Sequence, residues 1–511
     1  MTRYIMLQGT SSNVGKSILA TALCRIFLQD GRHVAPFKAQ NMALNSYVTK
    51  DGKEMGRAQV AQAEAAGLDP DVDMNPVLLK PTGNASSQVV LLGRPIGNMS
   101  ARDYHKGYST KLFGEVKAAL ARLEEKYDTV VIEGAGSPAE VNLKANDIVN
   151  MAVARYLHAP VLLIADIDRG GALASLVGTL ELLTPEERDL VKGLIINKFR
   201  GDVTLLQPAV EFLEEKTGKP VLGIIPHVVH LGIDDEDSVA LETKGIDEKK
   251  ADIKIAVIKT PKISNFTDFE CLSGEEDVSV SYIDLPEEIE KLGKIDLIML
   301  PGSKNTTEDM IYIRRCGLEA KIKEKVTEGT PLIGICGGYQ MLGKEIRDPN
   351  HTESQFDGTP GLGLLDMVTT FSAEKLTSQV IADCHGLHFL GQTIDASGLH
   401  GYEIHMGETE FTGMGDEHPL VITERANEAV QAAEGTVRAD GLVFGTYIHG
   451  IFDHDEFRRF VINALRVKKG LPALENKRNV YAEKQRAYDN LAEKVRAALD
   501  MDKLYKILGE Q

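Results

Sequence analysis

Two glycine-framed segments of this 511-residue chain hold residue types that could do chemistry. The first is Gly9-Thr-Ser-Ser-Asn-Val-Gly15-Lys16-Ser17, between an apolar run and a helical pattern. Glycines there let backbone N–H groups converge on phosphate, and the positive end of the following helix adds to the attraction. Gly9, Thr10, Asn13 and Gly15 are expected to shape a cradle for ATP, with Lys16 on the terminal phosphates and Ser17 as a ligand of Mg²⁺. The spacing is unusual: Gly9 lies one residue early, and Thr10 stands where the first glycine of such loops is expected. A loop that merely turns a strand into a helix has no need of the Gly-Lys-Ser ending.

The second segment is Pro331-Leu-Ile-Gly334-Ile-Cys336-Gly337-Gly338-Tyr-Gln-Met-Leu342, which reads as strand, tight turn and helix. Gly-x-Cys-x-Gly has the spacing of a nucleophile elbow, whose glycines permit a strained backbone that exposes the thiol. A helix start just after a cysteine favours the thiolate. A thiol nucleophile needs a base, and His449 follows the apolar run Leu442–Tyr447. An oxyanion must also be stabilised. The Gly337 N–H is one candidate donor, and Gly302, after the run Leu297–Leu300, is the other. The remaining cysteines, Cys24, Cys271, Cys316 and Cys384, lack such a frame and read as inert.

Four further residues are candidates with ordinary alternatives. Glu133, in Val131-Ile-Glu-Gly-Ala-Gly136, ends a strand pattern, and a carboxylate there could hold Mg²⁺ directly or through water; it could also simply cap a turn. Asp147 could position the metal or a substrate carboxylate, or cap a helix. Asn197 could read an adenine edge or be a turn residue. Lys38, in Pro36-Phe-Lys-Ala-Gln-Asn41, could bind phosphate or carboxylate.

Short apolar runs position these residues. Tyr4–Leu7, Thr129–Ile132, Val161–Ile164, Leu194–Ile196, Lys254–Ile258, Leu297–Leu300, Leu332–Ile335 and Leu442–Tyr447 read as strands, several buried on both faces. Helical patterns such as Ser17–Leu28 and Lys111–Glu125 lie between them. The alternation predicts an α/β protein with two doubly wound, mostly parallel sheets. The charged stretch Glu242–Asp252 marks a boundary. Residues 1–245 form the first expected domain, 252–455 the second, and 456–511 a helical extension packed on the second.

Composition narrows the classes. With 43% hydrophobic and 26% charged residues the chain is ordinary for a globular protein. A formal charge of −18 argues against general nucleic-acid binding. The five cysteines show no CxxC pairs, which speaks against a zinc site or a disulfide framework. No apolar run is long enough to span a bilayer, and the N-terminus lacks a signal peptide's apolar region. The expected location is the cytoplasm.

The motifs also carry resemblances. GTSSNVGKS resembles the loop of dethiobiotin synthetase-like proteins, where G-T-x-x-x-x-GK[ST] is usual and the Glu of EGAG binds the metal. GICGGYQMLG (334–343), LPGSKNT (300–306) and GTYIHGIF (445–452) resemble class I glutamine amidotransferases, with one departure: Ile451 stands where those enzymes place a Glu. The third triad member is thus absent from its usual place. This is similar to a cobyrinate/cobyrate subgroup that manages with Cys and His, and Asp453 or another acid is left to orient His449. PFKAQNMALNS (36–46), PHVVHLGIDDEDSVAL (226–241) and GYEIHMG (401–407), in this domain order, resemble the cobyric acid synthases.

That resemblance implies ATP- and glutamine-dependent amidation of the b, d, e and g carboxylates of adenosylcobyrinic acid a,c-diamide. It implies an acyl phosphate in the first domain, ammonia from glutamine in the second, and a sheltered route between them. Cobyrinate a,c-diamide synthases and amidotransferases acting on cell-wall lipid are alternatives. A P-loop switch protein with an inactive amidase-like module is a third, which intact Cys336 and His449 disfavour.

Overall fold

The structure, a computed structural model, describes residues 2–83, 86–228, 232–233, 241, 244–413 and 415–509. Most of the 226–241 motif lies outside the described residues. Six parallel strands form the first sheet, in the order Val221–Pro226, Val191–Phe199, Val161–Asp166, Arg3–Gly9, Thr129–Glu133, Val34–Phe37. The strand Thr129–Glu133 is buried along its whole length, as helices on both faces require. The chain first moves to one side of Arg3–Gly9 and later to the other. The carboxyl end of that strand is therefore the switch-point crevice where ligands bind in such sheets, and it delivers Gly9 to the helix Lys16–Gln29.

A second sheet orders Val278–Ile283, Ile253–Ile258, Leu297–Leu300, Leu332–Ile335 and Val443–Thr446 in parallel, with Thr436–Val437 antiparallel at the edge. Both expected parallel sheets are present. Two antiparallel assemblies accompany them without having been foreseen. Gln40–Met42, Val77–Gly83, Ser86–Leu91 and Arg94–Ser100 make a small sheet on the first domain, in which only the first pair is parallel. In the second, Met367–Phe389 and Gln392–Phe411 form a long hairpin.

The C-terminal extension is corrected by the structure. The helix Asp455–Lys468 does pack on the second domain, where Arg458 and Arg459 reach Glu275 and Asp277. The helix Val480–Ala498 instead packs on the first. Its stripe Tyr488, Leu491, Ala492 and Val495 has helical spacing and is buried in one core with Leu23 and Phe27 of the helix Lys16–Gln29. Arg25 pairs with Asp489 at 2.7 Å and Arg496 with Asp30 at 2.8 Å on the flanks. The tail thus ties the two domains together.

Candidate active sites

The phosphate loop leaves the first sheet at Gly9. A Cβ on Gly9 would lie 2.6 Å from Val14 Cγ2 and 2.9 Å from Lys16 Nζ, so the early glycine is required by the loop folding back over it. The Thr10 N–H donates to Ile164 O, anchoring the loop to the neighbouring strand. Asn13 is left-handed at φ 60°, and Gly15 turns the chain into the helix at φ 97°. Lys16 Nζ lies 3.1 Å from the carbonyls of Ser11 and Gly136, spanning the loop and the Glu133–Gly136 turn.

Behind the loop, Glu133 is wholly buried. Its Oε1 accepts from Ser17 Oγ at 2.8 Å and pairs with Lys38 Nζ at 2.7 Å. Its Oε2 accepts from Gln62 Nε2 at 2.7 Å. Ser17, Lys38 and Glu133 thus converge as one cluster. The group also suits Mg²⁺: Ser17 and Glu133 are hard oxygen donors side by side, and such ions are held by one or two protein oxygens plus phosphates and water. Among the described residues Gln8 and Gln62 each keep a buried amide oxygen without a hydrogen-bond partner, acceptors that hydrated-ion protons would satisfy.

Two candidates have supporting positions. The Asn197 amide donates to Val14 O at 2.7 Å and so braces the phosphate loop. Asp147 accepts from the N–H groups of Val149 and Asn150 at 2.8 Å and of Ala152 at 3.0 Å. That is the work of a helix cap. Asn150, held by this cap, accepts from the Ala135 N–H and so steadies the turn after Glu133.

The second site collects the carboxyl ends of four strands of the second sheet. Cys336 sits at φ 52°, ψ −109°, outside the regions open to ordinary side chains, and is buried. A Cβ on Gly338 would come within 2.1 Å of Leu300 O, so only glycine lets the elbow close on the adjacent strand. Gly302 and Gly337 meet here too. An atom at the Cβ position of Gly302 would stand 3.2 Å from His449 Cε1, and one at Gly337 2.8 Å from Ser303 N. Gly302 therefore lies beside His449, and Gly337 beside Ser303.

His449 is oriented by Asp268, not by Asp453. Its Nδ1 lies 2.7 Å from Asp268 Oδ2, and the Gly450 N–H donates to Asp268 Oδ1 at 2.8 Å. Burial opposes the imidazolium, but Asp268 and the Cys336 sulfur outweigh it and the His449 pKa is pushed up to about 10. An acid thus stands behind the Cys336–His449 pair, and the place left open for Asp453 or another residue is taken by Asp268. Asp268 lies in the turn Phe266–Phe269, ten residues beyond the strand Ile253–Ile258, so its signal was an acid after another strand of the same sheet rather than one near the histidine. The imidazole stacks on Tyr402 at 5.2 Å, and Tyr402 O–H donates to Ser46 O of the first domain. The GYEIHMG segment closes the recess: the Cys336 thiol approaches Ile404 O at 3.7 Å, and Gln340 Nε2 donates to Met406 O at 3.0 Å.

Comparison with known proteins agrees with this geometry. Residues 5–239 match the CobQ/CobB/MinD/ParA nucleotide binding domain, and residues 254–457 the CobB/CobQ-like glutamine amidotransferase domain. The chain is 54% identical to a cobyric acid synthase of Moorella thermoacetica over 512 aligned residues, covering 100% of this chain and 98% of the relative. It belongs to the cobyric acid synthase family. A cobyric acid synthase of Pelotomaculum thermopropionicum is also 54% identical, over 100% of this chain and 97% of its own. That of Carboxydothermus hydrogenoformans is 50% identical over 100% of both. Among solved structures, one titled as a crystal structure of glutamine amidotransferase covers 41% of this chain and 98% of its own, at 20% identity and a TM-score of 0.30. The chain is thus a glutamine-dependent amidating ligase of cobalamin biosynthesis. Among the described residues no helix is long and apolar enough to cross a membrane.

Proposed function

We propose that this ligase works in the cytoplasm and amidates the b, d, e and g carboxylates of adenosylcobyrinic acid a,c-diamide, using ATP with Mg²⁺ and ammonia drawn from L-glutamine. The observation that supports it best is the pairing, in one chain, of the Lys16–Ser17–Glu133 cluster with a complete Cys336–His449–Asp268 triad.

In the amidotransferase domain the Cys336 sulfur attacks the glutamine amide carbon. The imidazolium beside it stabilises negative charge on sulfur. Gly302 and Gly337 N–H groups receive the oxyanion. His449 gives its proton to the departing nitrogen, and ammonia leaves. Water, deprotonated by His449, then cleaves the glutamyl thioester to glutamate.

In the first domain Lys16 holds the terminal phosphates. Ser17 and Glu133 would hold Mg²⁺, which supplies charge neutralisation when bound. A substrate carboxylate oxygen takes the terminal phosphoryl group and ADP leaves. Ammonia attacks the acyl phosphate, releasing phosphate and leaving the amide. Positioning and charge neutralisation are the main catalytic effects in such a site. The first domain meets the second beside the cysteine recess, which favours transfer of ammonia across that contact.

The test is the product mass after incubating the purified chain with ATP, Mg²⁺, glutamine and adenosylcobyrinic acid a,c-diamide. Each amidation exchanges a hydroxyl for an amino group, so four successive products are expected. Conversion of cobyrinic acid with none of the diamide would overturn the substrate assignment. Absence of both glutamate release and nucleotide consumption would overturn the chemistry.

A further inference from the structure

The recess around Cys336 and His449 is walled by both domains. Lys304, Glu353 and Lys375 line it from the amidotransferase side, and Lys80 lines it from the nucleotide-binding side. Lys80 and Lys375 share one carboxylate: Glu54 Oε1 lies 2.6 Å from Lys80 Nζ, and Glu54 Oε2 lies 2.5 Å from Lys375 Nζ. These three side chains are at most 8% exposed. Lys304 makes no ion pair among the described residues; burial lowers its pKa, and Glu353 opposes that shift.

Three cations therefore face two carboxylates around one recess. Burial also pushes the Glu353 carboxyl up to about 7, so that near neutrality it offsets less than a full positive charge. Burial holds Lys80 down at about 8, Glu54 opposing the shift. Excess buried positive charge is costly unless a counter-charge enters. The recess is thus built to receive an anionic group alongside whatever reacts at the thiol. His405 stands in the same wall, with both ring nitrogens buried and without a hydrogen bond among the described residues, and with Nε2 3.9 Å from Glu403 Oε1.

Glutamine carries such a group at the end opposite its amide. Cys336 and the three lysines line the same recess. We propose that Lys80, with Lys304 and Lys375, receives the α-carboxylate of glutamine, so that a residue of the nucleotide-binding domain completes the glutaminase pocket. This rests on Cys336 being the glutaminase nucleophile. Glu353 faces the α-ammonium. Glu54 holds Lys80 and Lys375 together across the domain contact, so glutamine binds fully only when the two domains are joined there.

The experiment compares glutamine with 4-aminobutanamide, which lacks the α-carboxylate, as substrates of the full-length protein and of its Lys80→Gln and Lys304→Gln variants. In both variants kcat/KM for glutamine falls by about tenfold or more through KM, the effect of losing a charge-assisted contact. With 4-aminobutanamide kcat/KM stays within about threefold, so the preference for glutamine collapses. Lys304 has no ion-pair partner among the described residues to strand, so its variant keeps the test decisive if Lys80→Gln does not fold. Equal losses on both substrates make the lysines a structural link only and overturn the proposal, as does an unchanged KM for glutamine in Lys304→Gln. Wild-type protein that releases no glutamate overturns the nucleophile reading itself, and this proposal with it.

Discussion

Replacing Asp268 by Asn removes the negative charge that faces His449 Nδ1 across 2.7 Å while nearly preserving shape. The Gly450 N–H, which donates to Asp268 Oδ1, holds the amide oxygen on its own side. The new NH₂ then faces Nδ1 and demands an acceptor there, so the neutral ring carries its proton on the nitrogen that should act as base. The bond lost is charge-assisted and joins side chains at most 3% exposed. Such bonds contribute about 1.5–3 kcal/mol. At about 1.36 kcal/mol per factor of ten, glutaminase kcat should fall roughly 10- to 150-fold.

The pH profile carries a second signature of the same change. Burial lowers the His449 pKa, yet Asp268 and Cys336 raise it to about 10 overall. The charged ring therefore contributes stability in full below its ordinary value of about 6.5, and that contribution is lost as pH rises through about 10. In the Asn variant burial acts against less opposition and the proton leaves at lower pH. The alkaline limb of kcat/KM for glutamine, measured by glutamate release, should move from near pH 10 toward neutrality. Ammonium-supported amidation serves as the control for folding. A variant that keeps its glutaminase rate within about threefold, with the alkaline limb in place, refutes Asp268 as the third member.

Three other outcomes follow from the geometry. Cys336→Ala should abolish glutamine-dependent amidation while high ammonium still supports it, measured as amide product with each nitrogen source. Lys16→Ala should lower ATP-dependent amidation by two orders of magnitude or more, about the effect of removing a preorganised charge contact, while glutamate release from glutamine survives. Leu491→Ala, in the tail helix buried against the first domain, should destabilise that domain by about 2–5 kcal/mol, seen as a lower thermal midpoint of its transition in calorimetry.

Much of the fold and part of each site were legible in the residues alone. Runs such as Val130–Ile132 and Leu332–Ile335 are apolar at consecutive positions because both faces of a parallel strand are covered, and that pattern is local. The phosphate loop and the cysteine elbow were equally plain. Each depends on glycines at fixed offsets from Lys16 or Cys336, where the backbone passes too close to a neighbour for a side chain. The long hairpin from Met367 to Phe411 was not legible, because its exposed and buried positions do not alternate cleanly along the strands.

The tertiary structure decided what depends on which strand ends and helix faces meet. Asp268 stands 181 residues from His449, and nothing near either residue marks the pair; the segment after Ile253–Ile258 carries Asp268 past the ends of two intervening strands to reach it. The stripe at Tyr488, Leu491 and Val495 announces a buried helix face but not its partner, since apolar surface is not directional. Lys80 reads as one more charged residue until Glu54 and Lys375 are seen around it across the domain contact. Local chemistry was therefore written in the chain, and partnership at a distance was settled by packing.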